Sequence, residues 1–241
     1  MEINHESLYE AVVLAAGRGS RLRADGTNKA MELIGHKPLI CFAIDALIAA
    51  GIEVIWIVKY HTDSFDALDL LYKDRNVQLK YINEYKHLGS LHSFALTEAY
   101  INSKFVILDC DLIIDKSAFV EMLRQGIAHM DREQLLGVMA QVQNPSKSDT
   151  NMLLIENQRV TRFIKTGRSD CVRGGYVFLW SPEVFCDTAR FLEQNIYSLS
   201  EYYDYLAQKC EIGVMDIEDI WDVDTPEDIE YTLNRLKEER K

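Results

Sequence analysis

The 241-residue sequence is short of the features that mark several large classes of protein. No apolar run approaches the ~18 residues that a membrane span needs. Met1 to Tyr9 hold neither a basic cluster nor an apolar core, so no signal peptide is expected. The five cysteines, Cys41, Cys110, Cys171, Cys186 and Cys210, form no C-x-x-C pair. That spacing speaks against a zinc site or a disulfide framework and fits a reducing, cytoplasmic setting. Positive charge is also scarce: 26 Lys and Arg stand against 38 Asp and Glu, a net charge of −12. No basic surplus is available to neutralise phosphates along a nucleic acid. A small phosphorylated substrate stays within reach, provided that a local basic island or a metal receives it. Internal repeats, low-complexity tracts and long linkers are absent, and no Ser-His-Asp or Cys-His set stands out.

What is present is a rhythm of short apolar runs and helical stretches. Ala11 to Ala16 reads as a buried strand, being too short for a helix and rich in Val. A helix is expected from Pro38 to Ala50 with Gly51 after it, then a strand over Glu53 to Val58 and a helix over Asp63 to Tyr72. Val77 to Ile82 and Phe105 to Leu108 read as further strands, with a helix over Ser90 to Tyr100 between them. This alternation predicts a mainly parallel sheet covered on both faces. After Asp115 the order changes. Helices are expected over Lys116 to Met130, Pro182 to Glu193 and Leu199 to Lys209. Strands are expected near Leu135 to Val142, Met152 to Glu156, Val160 to Ile164, Tyr176 to Leu179 and Ile212 to Ile217. Thr225 as N-cap and Pro226 at the first position open a closing helix. The expected architecture is α/β, three-layered α/β/α with a mixed central sheet, in a single domain over 1–241. Residues of about 10–115 would handle a nucleotide, and 116–241 would complete the sheet and hold an acceptor.

The most informative stretch runs from Val13 to Leu22, followed by Lys29. Ala15, Ala16, Gly17 and Gly19 carry little or no side chain, so a ligand can approach the backbone. Exposed N–H groups at the carboxyl end of a parallel strand cradle phosphate oxygens. Arg18, Arg21, Arg23 and Lys29 lie close together with one acid, Asp25. In an acidic chain, that island points to a polyphosphate. The spacing lacks the third glycine of a dinucleotide fingerprint and the G-K-[ST] of a Walker loop. Two acidic pairs complement it. Asp109 and Asp111, spaced i, i+2, point the same way in extended backbone and so can face one hard cation. Asp222 and Asp224 lie in Trp221-Asp222-Val223-Asp224-Thr225-Pro226-Glu227-Asp228. Asp228 itself reads as a helix N-terminal charge.

Leu14-Ala15-Ala16-Gly17-x-Gly19-Ser20-Arg21-Leu22 with Lys29 resembles the signature of the nucleotidyltransferase family, which shares its fold with A-type glycosyltransferases. These enzymes join a nucleoside triphosphate to a phosphorylated sugar or alcohol. The resemblance implies that Arg21 and Lys29 bind the triphosphate, with Leu14 through Ser20 forming the nucleotide loop. The family lysine usually follows proline, whereas here Asn28 precedes it. The D-V-D-T-P-E-D segment also resembles the family's ending, which implies magnesium held by Asp111, Asp224 and Asp222. Relatives often have glycine in the place of Asp109, so the resemblance makes Asp111 the stronger ligand of that pair. Asp109 is grouped with the nucleotide-binding residues, and which of Asp109, Asp222 and Asp224 complete the metal site stays open. A phosphate monoester, largely dianionic at neutral pH, can attack the α-phosphorus without a general base, so no catalytic triad is required.

The six residues between Leu22 and Lys29 are nearer in number to cytidylyltransferases than to glucose-1-phosphate enzymes. Phe163-Ile164-Lys165, Asp170-Cys171-Val172, Gly175-Tyr176-Val177-Phe178 and Leu199-Ser200-Glu201 resemble inositol-1-phosphate and phosphocholine cytidylyltransferases. CTP is therefore the expected nucleotide, and a phosphorylated alcohol or sugar the expected acceptor. Ser90 is a candidate base contact by resemblance and a candidate helix N-cap by residue type. Lys165, Arg173, Gly175 and Glu201 are the acceptor-binding candidates, with Arg168 beside them. His92 reads as a surface or packing residue. Tyr197, Tyr202, Tyr203 and Tyr205 suggest a choline cage, but their spacing better suits one packed helix. Alternatives are transfer from another NTP, of sugar-1-phosphate or molybdenum-cofactor type, and a nucleotide-binding protein of this fold without the activity. Relatives are often dimers, so a homodimer is compatible with the resemblance, and no membrane partner is expected.

Overall fold

The computed structural model describes residues 10–17, 22, 28–142, 151–164, 171–218 and 220–238. The first half follows the expected alternation: β1 (Glu10–Ala15), a hairpin of β2 (Leu33–Ile34) and β3 (Lys37–Pro38), α1 (Ile40–Ala49), β4 (Val54–Tyr60), α2 (Asp66–Tyr72), β5 (Gln78–Glu84), α3 (Ser90–Ala95) and β6 (Phe105–Asp109). The second half continues with β7 (Leu112–Ile114), α4 (Lys116–Glu133), β8 (Gly137–Val142), β9 (Met152–Glu156), β10 (Arg159–Ile164) and β11 (Val172–Trp180). It closes with α5 (Thr188–Glu193), α6 (Leu199–Ala207), β12 (Ile212–Ile217), β13 (Ile220–Asp222) and α7 (Pro226–Glu238).

Nine strands form one sheet in the order β5-β4-β1-β6-β11-β8-β12-β10-β9. The first four are mutually parallel, β11 runs antiparallel between β6 and β8, and β12 is parallel to β8. β10 and β9 add antiparallel pairs at the far side. The sheet is therefore mixed and mainly parallel.

Alternation along the strands decides which layer each side chain joins. In β1, Ala11, Val13 and Ala15 enter a core shared with α1, α2 and α4, while Val12 enters a second core shared with α3, α5 and α6. β6 divides likewise, with Val106 and Leu108 on the first side and Phe105 and Ile107 on the second. Asp109 is in phase with Ile107 and so belongs to the α3–α6 side, whereas Cys110 is buried on the other. This is the expected α/β/α layering.

Local departures have physical causes. Pro38 sits in the β2–β3 hairpin rather than in a first helical turn, because the Leu39 N–H bonds back to the Glu32 carbonyl at 2.8 Å before α1 begins. α3 ends at Ala95 instead of Tyr100; the backbone tightens there into i→i−3 bonds such as Thr97 to Phe94 and Tyr100 to Thr97. The expected helix over 182–193 divides into a 3-10 turn, Pro182–Phe185, and α5. β7 and β13 went unread in the sequence, since runs of three residues carry no measurable period.

Candidate nucleotide site

A cavity of about 690 Å³ opens at the carboxyl ends of β1, β5 and β6, where open α/β sheets bind their ligands. Leu14, Ala16 and Gly17 supply one edge. A Cβ placed on Gly17 would meet nothing within 4 Å. Among the described residues, then, no packing demands glycine there, and its backbone borders the cavity. The 3-10 turn Lys29–Met31 follows, and Asn28 fastens it. The Asn28 carbonyl oxygen accepts from the Ala30 N–H at 2.8 Å, and its amide donates to the Ala15 carbonyl at 2.9 Å and to Asp63 at 2.5 Å. Asn28 has φ −63°, the angle that a proline would impose. Three hydrogen bonds thus hold the approach to Lys29 without a proline ring.

Lys29 reaches across to the carboxylates of Asp111 and Asp224, which clamp its ammonium from two sides. Burial alone would lower the lysine pKa, but the two carboxylates outweigh burial and raise it. Two backbone devices bring these distant acids together. β7 pairs antiparallel with β13, and the Val223 N–H donates to the Asp111 carbonyl at 3.0 Å. The start of α7 then fixes Asp224. The Asp228 carboxylate accepts from the N–H groups of Asp224 and Thr225 at 2.9 and 3.0 Å, while the Thr225 hydroxyl faces the Asp228 N–H at 3.4 Å. That is a reciprocal capping arrangement. Asp228, read from sequence as a helix-end charge, is buried and holds the backbone of Asp224. Trp221 anchors the same segment through its indole N–H to Thr232 at 2.9 Å.

Asp109 opens onto the cavity floor yet is surrounded by protein on its other sides. Burial first, and then the neighbouring Asp111 carboxylate, push it up to about 7, with Lys29 opposing. At the opposite wall Glu84 is almost wholly buried. It accepts from the Lys86 N–H at 2.8 Å and the Ser93 hydroxyl at 3.3 Å, and pairs with His92 Nδ1 at 2.5 Å. Burial disfavours its charge, but these partners prevail and hold the carboxyl below its usual range. His92 is thus engaged with Glu84 rather than simply packed. Neither residue was singled out for the site from sequence; a lone Glu at the end of a strand gives no pattern to find.

Ser90 occupies the first turn of α3, not its N-cap, which is Gly89 at φ +150°. A Cβ on Gly89 would fall 2.6 Å from the Tyr197 carbonyl oxygen, so only glycine lets the two segments approach. The Ser90 hydroxyl instead accepts from the Leu199 N–H at 3.1 Å, latching α3 to the start of α6.

The structure therefore brings Leu14, Ala16, Gly17, Lys29, Ser90, Asp109, Asp111 and Asp224 to one cavity. Ala15 faces the core, and its carbonyl holds Asn28. Asp222 lies in β13, in register with Leu112, close enough for its charge to act on Asp109. Gly175 lines a smaller adjoining recess. Arg173 and Glu201 line neither space: Arg173 sits in β11 opposite Met152, and Glu201 is exposed in the first turn of α6. Arg18, Gly19, Ser20, Arg21, Lys165 and Arg168 lie outside the described residues.

The donor set suits magnesium. That ion takes one or two carboxylates, keeps waters and completes its shell with substrate phosphates. Asp111 and Asp224 already converge on one cation, the Lys29 ammonium. No cluster of three or more metal-ligating side chains occurs among the described residues, and this mode of binding needs none.

A mainly parallel sheet with a cavity at the carboxyl ends of its strands, where a lysine is clamped between aspartates, defines an α/β protein with its ligand cleft at the usual place for open sheets. Residues 10–234 match the Nucleotidyl transferase family model, and the chain belongs to that family. It is 34% identical over 113 residues to a choline-phosphate cytidylyltransferase of Streptococcus pneumoniae, a match covering 46% of this chain and 48%, about half, of that relative. It is 25% identical over 241 positions to the UTP–glucose-1-phosphate uridylyltransferase AglF of Haloferax volcanii, covering 95% of this chain and 97% of the relative. Among solved structures, the inositol-1-phosphate CTP transferase from T. maritima superposes with a TM-score of 0.80 at 20% identity, over 96% of this chain and 97% of that one. No helix among the described residues is long and apolar enough to cross a membrane.

Proposed function

We propose that this chain is a magnesium-dependent cytidylyltransferase that moves CMP from CTP to a phosphorylated alcohol or sugar and releases pyrophosphate. The observation that carries this reading is the Lys29 ammonium held between Asp111 and Asp224 at the edge of a cavity bordered by bare backbone. In the reaction, an acceptor phosphate oxygen bonds to the α-phosphorus as the bond from that phosphorus to the bridging oxygen of pyrophosphate breaks. Two anions must meet, so positioning and cationic offset supply most of the catalysis. Lys29 neutralises charge on the leaving phosphates, together with Arg21 from the loop. The N–H groups after β1 orient the triphosphate, and Asn28 keeps Lys29 in place. Asp111 and Asp224, with Asp222 behind them, would hold magnesium, whose chemistry is to neutralise phosphate oxygens. No side chain is asked to remove a proton, because the attacking phosphate is already an anion.

Choline-phosphate cytidylyltransferases among the relatives support cytosine. Uridylyl- and guanylyltransferases are relatives too, so the test must cross nucleotides with acceptors. Pyrophosphate release would be followed with four NTPs against inositol-1-phosphate, phosphocholine and glucose-1-phosphate, in magnesium. Turnover with CTP alone, lost in Lys29→Ala and Asp111→Ala, is the expected result. Turnover with another NTP would keep the mechanism and overturn the base assignment.

A further inference from the structure

Asn28, which precedes Lys29, is buried and uses both hydrogens of its side-chain amide. One goes to the Ala15 carbonyl at 2.9 Å and the other to the Asp63 carboxylate at 2.5 Å. Turning the amide over would set its oxygen against two acceptors, so this pair fixes which way it faces. The oxygen is thereby kept on the Ala30 N–H, and it caps the 3-10 turn that begins with Lys29. Asp63 lies 35 residues from Asn28 in sequence, in the turn between β4 and α2. Among the described residues its carboxylate has no partner besides Asn28. It forms no ion pair with Lys29, whose ammonium is held by Asp111 and Asp224. The turn that carries Asp63 is braced on the sheet. The Asp63 N–H donates to the Tyr60 carbonyl at 3.0 Å, and the Lys59 ammonium donates to the Asp63 carbonyl at 2.6 Å. Lys59 stands in register with Ala15 across β4 and β1, and the His61 N–H bonds to the Glu84 carbonyl at 2.9 Å. The sheet thus holds Asp63, and Asp63 holds Asn28.

We infer that Asp63 is a positioning residue: its carboxylate, acting through the Asn28 amide, holds the Lys29 ammonium in its working place. The inference rests on the role given to Lys29 in nucleotidyl transfer. A proline at position 28 would fix φ by its ring and would need no partner at position 63. Asparagine has no ring, so its place must be set from outside the residue. The bond to Asp63 is charge-assisted and is the stronger of the two that hold the amide. Without it, a buried amide hydrogen loses its partner, and the cap on the Ala30 N–H loosens with the amide. Lys29 would then drift from the point where Asp111 and Asp224 meet it. A shift of about 1 Å in a positioned group can lower a rate by up to about 10²-fold.

The test is a double-mutant cycle between positions 28 and 63. It is read by pyrophosphate release with the nucleotide and acceptor that the wild type uses in the panel above. Asp63→Ala should lower kcat about five- to tenfold and leave the acceptor KM within about twofold. Added to Asn28→Ala, the same change should alter kcat by less than about twofold, because the two residues act as one unit. It should also do little in Asn28→Pro, where no amide is left to orient. Asp63→Asn, which keeps an accepting oxygen, should recover most of the lost rate. Losses that multiply in the double variant, or equal losses in Asp63→Asn and Asp63→Ala, overturn the inference. So does a wild-type kcat in Asp63→Ala. Circular dichroism checks the fold. Asp63→Ser, whose hydroxyl is too short to reach Asn28, takes the place of Asp63→Ala if that variant is unfolded. If the wild type releases no pyrophosphate with any pair, the transfer reading fails and crystal structures decide the positioning role. Lys29 displaced from Asp111 and Asp224 in Asp63→Ala upholds it, and an unmoved Lys29 overturns it.

Discussion

The two walls of the cleft are built by different physics. On one side, Lys29, Asp111 and Asp224 come from distant parts of the chain and meet as charges. Each is placed by backbone hydrogen bonds or caps: Asn28 before Lys29, the β7–β13 pair beneath Asp111, and the Asp228 cap behind Asp224. On the other side, α3 and α6 form a wall of close-packed rings, where Phe94 stacks on Phe185 and Tyr203 packs tilted against Phe178. The charged wall rests on a small cluster of Ile34, Leu39, Ile113, Trp221 and Val223, but the aim of its charged side chains depends on small polar anchors. The aromatic wall is held by area, and single polar changes should disturb it less.

Substitutions can break that contrast. The largest effect belongs to Lys29→Ala. Removing a preorganised cation from a site that gathers phosphates should lower kcat/KM by roughly 10²–10³-fold, with circular dichroism unchanged. Next is Asn28→Ala, which deletes three hydrogen bonds but no charge that touches the ligand. A fall of about tenfold in kcat is expected from misplacing Lys29. Asn28→Pro, which keeps φ, should recover part of that loss. A wild-type rate in Asn28→Ala would show that Lys29 needs no anchor.

Asp228→Ala should destabilise by about 1 kcal/mol, as capping changes do, read as a shift in urea midpoint. Its loss of activity should exceed what unfolding explains, because the Asp224 backbone is released. The smallest effect concerns Glu84. Its folded pKa lies below its unfolded value of about 4.3. It therefore contributes stability above that value and loses it as pH falls through the lower folded value. Urea midpoints at pH 7 and pH 3.5 should converge more in Glu84→Gln than in the wild type. An identical acid loss in both would remove Glu84 from the account.

Much of the scaffold was legible because its signals are periodic. β1, β4 and β6 are short apolar runs with Val and Ile, and α4 and α7 carry clear caps. The loop lysine and the acidic pairs were legible as charge in unexpected places. What escaped were contacts between segments that sequence spacing cannot express. The Lys29 clamp joins residues in three separate parts of the chain, and the three-residue strands that align it have no period. Arg173 was read as a ligand because it stands beside Gly174-Gly175, but the register of β11 directs the lining role to Gly175 and Phe178. Ser90 looked like a cap because serine commonly is one. The left-handed Gly89 takes that place and frees the Ser90 hydroxyl to latch α6.

The central claim is that the Lys29–Asp111–Asp224 wall receives the triphosphate. Calorimetric titration of CTP, with and without magnesium, into the wild type, Lys29→Ala and Asp111→Ala tests it most directly. The account predicts that magnesium tightens CTP binding in the wild type, that Lys29→Ala weakens binding at least about tenfold, and that Asp111→Ala abolishes the magnesium dependence. Wild-type affinity and undiminished magnesium dependence in both variants would contradict it and place the triphosphate elsewhere.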